Sequence, residues 1–258
     1  MLIFPQLQSG AIAQLPLQRS ENYRTLVNAL SDGSVIRMPD GGFNNVRWSL
    51  RYRGLTADEV GRLQSLFVSA EGSLHAFTFV DPTANLLLWS DELSPPVWNR
   101  DPQLVLTPVQ DAFGGTAGMR IANGAATAQS ISQTTNAPVG LQYCFSGYLR
   151  SDTPAQAMFE LGGATILTAK LSGTWRRWEA VGIGGTGEQV TFGLSIPAAA
   201  TIEVCGLQAE AQPCAGTYKS STATGGVFVD SRFDQDSLEV TATDEGLFAC
   251  TVEVLSRL

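Results

Sequence analysis

Hydrophobic and polar positions alternate most clearly in VRWSLRYRGL, residues 46–55. Val46, Trp48, Leu50 and Tyr52 share one face, and Arg47, Ser49, Arg51 and Arg53 share the other, which is the period of a half-buried strand. The period then changes. In LTADEVGRLQSLFVSAEG, Val60, Leu63, Leu66 and Phe67 form an apolar stripe at helical spacing. Thr56 is predicted to cap the first turn while Glu59 reaches back to it, Leu55 and Val60 take staple positions, and Gly72 ends the helix. A strand follows at 74–80, with Phe77 and Phe79 alternating and Asp81-Pro82 as its closing turn. Upstream, strand-like runs on either side of Ser31-Asp32-Gly33 predict a β-hairpin. Residues 1–20 carry Pro5 and Pro16 without a clean period and read as an extended arm. Near the C-terminal end, Asp244-Glu245-Gly246 separates two strands, the second alternating Phe248, Cys250, Val252 and Val254 against Ala249, Thr251 and Glu253.

Each end lacks what the other supplies. Residues 1–84 have too few strands to cover their own helix, and residues 226–258 have strands with no helix nearby. The two are therefore expected to form one discontinuous domain, a split small β-barrel or sandwich with one α-helix. Residues 85–225 read as self-contained: YCFSGYLRS, QAMFELGG, TWRRWEAVGIG, QVTFGLSI and TIEVCGLQAEA are short strands at regular spacing, the pattern of a β-sandwich. FTFVDPTANLLLWS, residues 77–90, is then the place where an inserted domain begins, and the fold class is mainly β.

Composition supports short strands over a helical bundle: of 258 residues, 26 are Gly and 12 Pro, and only 16% are charged. A net charge of −8 argues against a phosphate-binding surface, so nucleic acid is not an expected partner. Residues 1–84 carry 7 basic and 7 acidic groups, the middle 7 and 10, and residues 226–258 2 and 7, so the acidic tail could answer the arginines of 47–53. The four cysteines, Cys144, Cys205, Cys214 and Cys250, show no CxxC pair or metal spacing, and read as reduced, mostly packed thiols of a protein made in the cytoplasm. No basic leader or apolar run of bilayer-crossing length is visible, so a soluble chain with no membrane insertion is expected.

Enzymatic motifs are missing. Any Ser-His-Asp or Cys-His arrangement would have to use His75, the single histidine, and no P-loop, HExxH or GxSxG occurs. GIGGTGEQ lacks the lysine of a phosphate loop and reads as a hairpin turn. Asp91, Glu92, Glu160, Glu179 and Glu203 show no sign of converging as a glycosidase pair would, and read as solvated. The aromatic residues available to stack on a sugar are Trp98, Tyr148, Trp175, Trp178 and Tyr218. Trp175 and Trp178, three apart on a strand, face opposite ways, so one is expected in the core; Trp175, beside a Gly-Thr turn, is the better exposed platform. Trp175, Tyr148 and Trp98 are the glycan-binding candidates.

SDGSVIRMPD followed by RWSLRYRGLTADEVGRLQSLFVSAEGSLHAFTFVDP resembles the distal tail and minor tail proteins at the tail tip of long-tailed bacteriophages. RFDQDSLEVTATDEGLFACTVEVL resembles that family's closing strands, arriving late because of the insertion. The intervening segment resembles jelly-roll, carbohydrate-binding-like domains: NLLLWSDELSPPVW as the first strand, then YCFSGYLRS, TWRRWEAV and VCGLQAEAQPCAGTYKSSTAT, with Cys214 and Ala215 departing from the usual residues before the last Tyr. The resemblance implies a structural virion protein rather than an enzyme. It implies a six-fold ring of copies between tail tube protein and tail hub protein, assembled in the host bacterial cytoplasm and carried at the virion tail tip. For the insertion it implies either contact with host surface glycan or the bracing of neighbouring subunits, no catalytic cofactor, and room for a structural calcium ion. The competing readings are a stand-alone carbohydrate-binding module and a glycan-degrading enzyme.

Overall fold

A computed structural model of the protein describes residues 1–185 and 189–258. The first strands are β1 (Gln18–Asn22), β2 (Thr25–Ala29), β3 (Val35–Pro39) and β4 (Asn45–Thr56), followed by α1 (Ala57–Ser69) and β5 (Phe77–Val80). Then come β6 (Asn99–Arg100), β7 (Leu104–Val109), β8 (Gly118–Asn123), β9 (Gln129–Thr135) and β10 (Gln142–Arg150). β11 (Ala155–Leu161), β12 (Ala164–Leu171), β13 (Arg176–Ile183), β14 (Val190–Ile196) and β15 (Thr201–Glu210) continue the middle, and β16 (Val227–Phe233), β17 (Val240–Asp244) and β18 (Leu247–Arg257) end the chain. The fold is mainly β, with a single helix among the described residues. It divides into two compact units, residues 1–8, 12–79 and 228–258 in one and residues 9–11 and 80–227 in the other.

The first unit is built on a sheet in the order β1-β4-β18-β16-β5, with β17 also paired to β18 and with β1, β4, β18 and β16 antiparallel to their neighbours in that run. Val46, Trp48, Leu50 and Tyr52 of β4 are buried while Arg47, Arg51 and Arg53 are exposed, as the alternation requires. The capping box at the start of α1 is complete: the Thr56 hydroxyl accepts from the Glu59 N–H, and the Glu59 carboxylate accepts from the Thr56 N–H at 2.9 Å. Val60, Leu63 and Leu66 then face the core, and Phe67, only half-buried, meets Phe233 edge-on at 5.0 Å. The chain leaves the helix through Glu71 and Gly72, both at positive φ, and the strand expected from residue 74 begins only at Phe77 because this turn runs on to His75. The N-terminal arm is not free. Phe4 and Ile12 are buried in the core, Ile3 bridges Thr78, Tyr52 donates its hydroxyl to the Ile12 carbonyl at 2.7 Å, and β1 pairs with β4. An apolar segment beside an open sheet edge lowers its free energy by covering that core. Of the arginine face, Arg47 pairs with Asp234 of the acidic tail at 2.9 Å.

The second unit is a jelly-roll sandwich of two five-stranded antiparallel sheets, β13-β10-β15-β8-β7 and β12-β11-β14-β9-β6. Phe145 of β10 packs against Phe159 and Phe192 of the facing sheet, with ring centroids 5.2 and 5.7 Å apart, and Tyr143 and Phe192 extend this core. One expectation fails here. NLLLWSDELSPPVW is not a strand: Leu86, Leu87, Leu93 and Trp98 are all buried, and its backbone is held by side chains and loops instead of a ladder. The Leu88 N–H donates to Gln133 Oε1 at 2.6 Å and the Gln133 amide donates back to the Leu88 carbonyl at 2.9 Å, while Pro95 and Pro96 have no N–H to offer a sheet. β13 and β14, before and after GIGGTGEQ, belong to different sheets, and residues 186–188 of the turn expected there lie outside the described residues.

Candidate functional site

Because Phe145 and Leu149 of β10 point into the sandwich, Ser146, Tyr148 and Arg150 point out of it, with a bulge between Ser146 and Tyr148. Tyr148 lies half-exposed over β15, where Gly206 takes a φ of +60°; a Cβ there would stand 3.2 Å from the Tyr148 ring and 3.5 Å from Tyr218. Only glycine lets both rings lie on that strand. Phe113 closes the group. The residue is 60% exposed, and its ring meets Tyr148 edge-on at 5.0 Å and lies nearly parallel to Tyr218 at 6.1 Å.

The loop that raises Phe113 is organised by a buried carboxylate. Asp111 accepts from the N–H groups of Phe113 at 2.7 Å, Gly115 at 2.9 Å and Ala117 at 3.1 Å. Burial opposes its charge, but these donors outweigh burial and hold the Asp111 pKa below the usual carboxylate range. Tyr218 is fixed in turn by donating its hydroxyl to Asp91, and burial with this contact raises its pKa.

Next to the rings runs an ionic row in strict register. Glu203 of β15 lies opposite Arg120 of β8 on one side and Arg150 of β10 on the other. Its carboxylate accepts from Arg120 at 2.6 and 2.9 Å and from Arg150 at 2.6 Å, with its side chain 3% exposed. The Arg150 guanidinium then lies 4.9 Å from the centroid of the Trp175 ring, just before β13. The outer face of the other sheet offers a contrast: Glu160 stands among Ser130, Ser132, Gly193 and Ser195, its pKa raised by burial, with no aromatic ring beside it among the contacts of the described residues.

Of the sequence candidates, Tyr148 and Trp175 fall on this one face. Trp98 does not: it is buried, with its indole N–H donating to the Trp89 carbonyl at 3.2 Å, and cannot meet a ligand. Neither Trp175 nor Trp178 is in the core; both are half-buried, because β13 is an edge strand, and Arg176 covers Trp178 at 4.3 Å. Glu203 is no solvated residue but a buried, doubly paired one, and it and Glu160 lie on different sheets. Phe113 escaped the sequence reading; its signal was Asp111 two residues before it and the Gly114-Gly115 pair after it, a turn able to lift a ring off the surface. His75 is exposed, 3.7 Å from Glu71. Among the described residues no group of three or more His, Cys, Asp or Glu side chains could hold a metal ion, and no helix is long and apolar enough to cross a membrane. All four thiols are free; Cys144, Cys205 and Cys250 are buried, Cys214 is exposed, and burial pushes the Cys144 pKa up to about 12.

The first unit carries a second exposed feature. β2 and β3 pair only with each other, and every one of their residues is exposed. Leu26, Ile36 and Met38 share one face of this hairpin, and Val27 and Val35 the other, at 43–56% exposure. Tyr23 and Phe43 flank its base, with Arg24 stacked on Phe43 and paired with Asp40.

The sequence matches no family model and no curated protein. Its fold is similar to solved structures. One is the enzymatically active domain of tailspike protein 4 of bacteriophage CBA120, at 9% identity and a TM-score of 0.38 over 50% of this chain and 22% of that one. Another is the CBM22-1 xylan-binding domain of Paenibacillus barcinonensis Xyn10C, at 14% identity and 0.41 over 54% of this chain and 99% of that one. A third is the carbohydrate-binding module TmCBM61 solved with β-1,4-galactotriose, at 15% identity and 0.36 over 48% and 97%. Likenesses this shallow carry no argument about activity, which rests on the residues above.

Proposed function

We propose that the chain is a structural subunit of a bacteriophage tail tip that associates with copies of itself in a ring, and that its second unit contacts a glycan on the host surface. The observation that carries self-association is the β2–β3 hairpin. An isolated two-stranded hairpin is marginal in water, and one apolar on both faces gains stability from a covering partner. The tail-tip resemblance of residues 31–40, 47–82 and 232–255 supplies the partner: neighbouring copies, six-fold around the tail axis, between tube and hub. Such a subunit acts through its interfaces and needs no active site.

Sedimentation velocity on the full chain tests this reading; a closed ring of about six copies is expected, and a monomer at every concentration would overturn it. For the glycan, exposed Phe113 and half-exposed Tyr148 and Trp175 share a face on which Tyr218 holds Asp91 and Trp175 meets Arg150, the mixture of flat apolar faces and a few fixed polar atoms that sugar sites use. Weak single sites gain avidity on a ring. Titration with xylohexaose, β-1,4-galactotriose and host polysaccharide tests it, with Tyr148→Ala expected to abolish binding. A stand-alone carbohydrate-binding module is the second reading, favoured by the same rings; a monomer that binds glycan would establish it. Product release from host glycan would instead reveal an enzyme.

A further inference from the structure

A carboxylate buried on the solvent side of a sandwich needs a reason. Glu203 is on the outward face of β15, yet it is almost wholly removed from water and spends both oxygens on arginines of the two neighbouring strands. Burying a charge is unfavourable unless its partners are fixed in good geometry. Here one partner leads to the aromatic face. Arg150 gives its Nε–H to Glu203 and lays its guanidinium against the Trp175 ring; Arg120, on the opposite side, contacts Glu203 and Asp152 but no ring. Trp175 itself stands before β13 begins, with no ladder to hold it, so its orientation depends on what it packs against. An arginine left free would sample many rotamers; one anchored through Nε to a fixed carboxylate presents one plane to the indole.

We infer that Glu203 is a positioning residue for ligand binding: it locks Arg150 behind Trp175, so that the indole is already set to stack on the C–H face of a sugar ring. This rests on the glycan reading for its ligand, but the orientation of Trp175 can be measured without one. Less ordering is then left to occur on binding, which is how a small site gains affinity.

The test uses the full chain labelled with fluorotryptophan, whose five tryptophans give separate fluorine NMR lines. Trp175→Phe assigns the Trp175 line. Glu203→Gln and Arg150→Met should each shift or broaden that line and leave Trp98 unmoved, while Arg120→Gln should leave it in place. In parallel, Glu203→Gln should weaken binding of whichever of xylohexaose or β-1,4-galactotriose the wild type takes by about tenfold, the scale of one cation–π contact, and Glu203→Asp should restore part of it. An unmoved Trp175 line in Glu203→Gln, or movement of all lines together, would overturn the inference and show a merely structural ion pair. If the wild type binds neither sugar nor host polysaccharide while the Trp175 line still responds, the glycan reading falls and the positioning of the indole stands.

Discussion

Helix α1 and the β2–β3 hairpin carry apolar side chains of the same kinds, yet the first buries its stripe of Val60, Leu63 and Leu66 and the second exposes all of its own. In α1 the stripe Val60, Leu63, Leu66 is one-sided, with Asp58, Arg62 and Ser65 on the other faces, so a single sheet face can cover it. In the hairpin, adjacent residues Leu26 and Val27, and Val35 and Ile36, put apolar groups on both faces. No single layer covers two faces. The difference teaches that hydrophobicity records a demand for burial, while periodicity records whether the same chain can meet it.

That contrast is broken most severely by removing the cover. Deleting residues 226–258 takes β18 from beside β4 and Phe233 from beside Phe67 and Phe77. The α1 stripe would then be as exposed as the hairpin, and the truncated chain should be insoluble or melt without cooperativity. A soluble chain with an unchanged melting curve would mean that residues 1–79 cover their own helix.

Leu63→Ala probes the same burial by one side chain. With Leu63 3% exposed, it should cost about 2–5 kcal/mol, seen as a lower denaturation midpoint at constant m-value. A neutral result would mean the stripe does not face a packed core.

The capping box sharpens the helix side further. Thr56→Ala should cost about 1 kcal/mol. Glu59 adds a pH signature. Burial raises its pKa, but the N–H groups of Thr56 and Gln8, the Thr56 hydroxyl and nearby Arg62 outweigh that, and the net shift is downward. A carboxyl with a lower pKa in the folded than in the unfolded chain contributes stability above its unfolded value, and that contribution is lost as pH falls through the folded value. The stability gap between wild type and Glu59→Gln should therefore shrink on acidification below the normal carboxylate range. A gap independent of pH would show that the Glu59 charge contributes nothing.

The elements legible in the sequence were those with one clear period. β4, α1 and β18 each have a wet face and a dry one. β6, β8, β9 and β12 were not legible: QSISQTT of β9 buries Gln133 and Thr135 alongside Ile131, so its inward positions do not look apolar. Gln133 faces inward because it serves the backbone of Leu88, a contact 45 residues away. The site was legible in the same uneven way. Tyr148 and Trp175 could be named as aromatic residues of short strands, but Trp98 looks no different in sequence and is buried. Phe113 is exposed because of where Asp111 directs its hydrogen bonds, and Glu203 matters through arginines 83 and 53 residues distant. Such residues acquire their roles only when strands are set in register.

The smallest expected effect on stability is the most informative about the hairpin. Leu26 and Ile36 share one face of it and are already in contact with water, so replacing both with aspartate removes little burial within the chain. The change in unfolding free energy should stay within about 0.5 kcal/mol, the ordinary range for surface substitutions. Association should respond quite differently. If copies cover this face in a ring, two carboxylates there would have to be desolvated without partners, and sedimentation should show the Leu26→Asp, Ile36→Asp chain as a folded monomer. A destabilisation of several kcal/mol would show that the hairpin is covered by its own chain after all. An intact ring would place the subunit contact elsewhere on the chain.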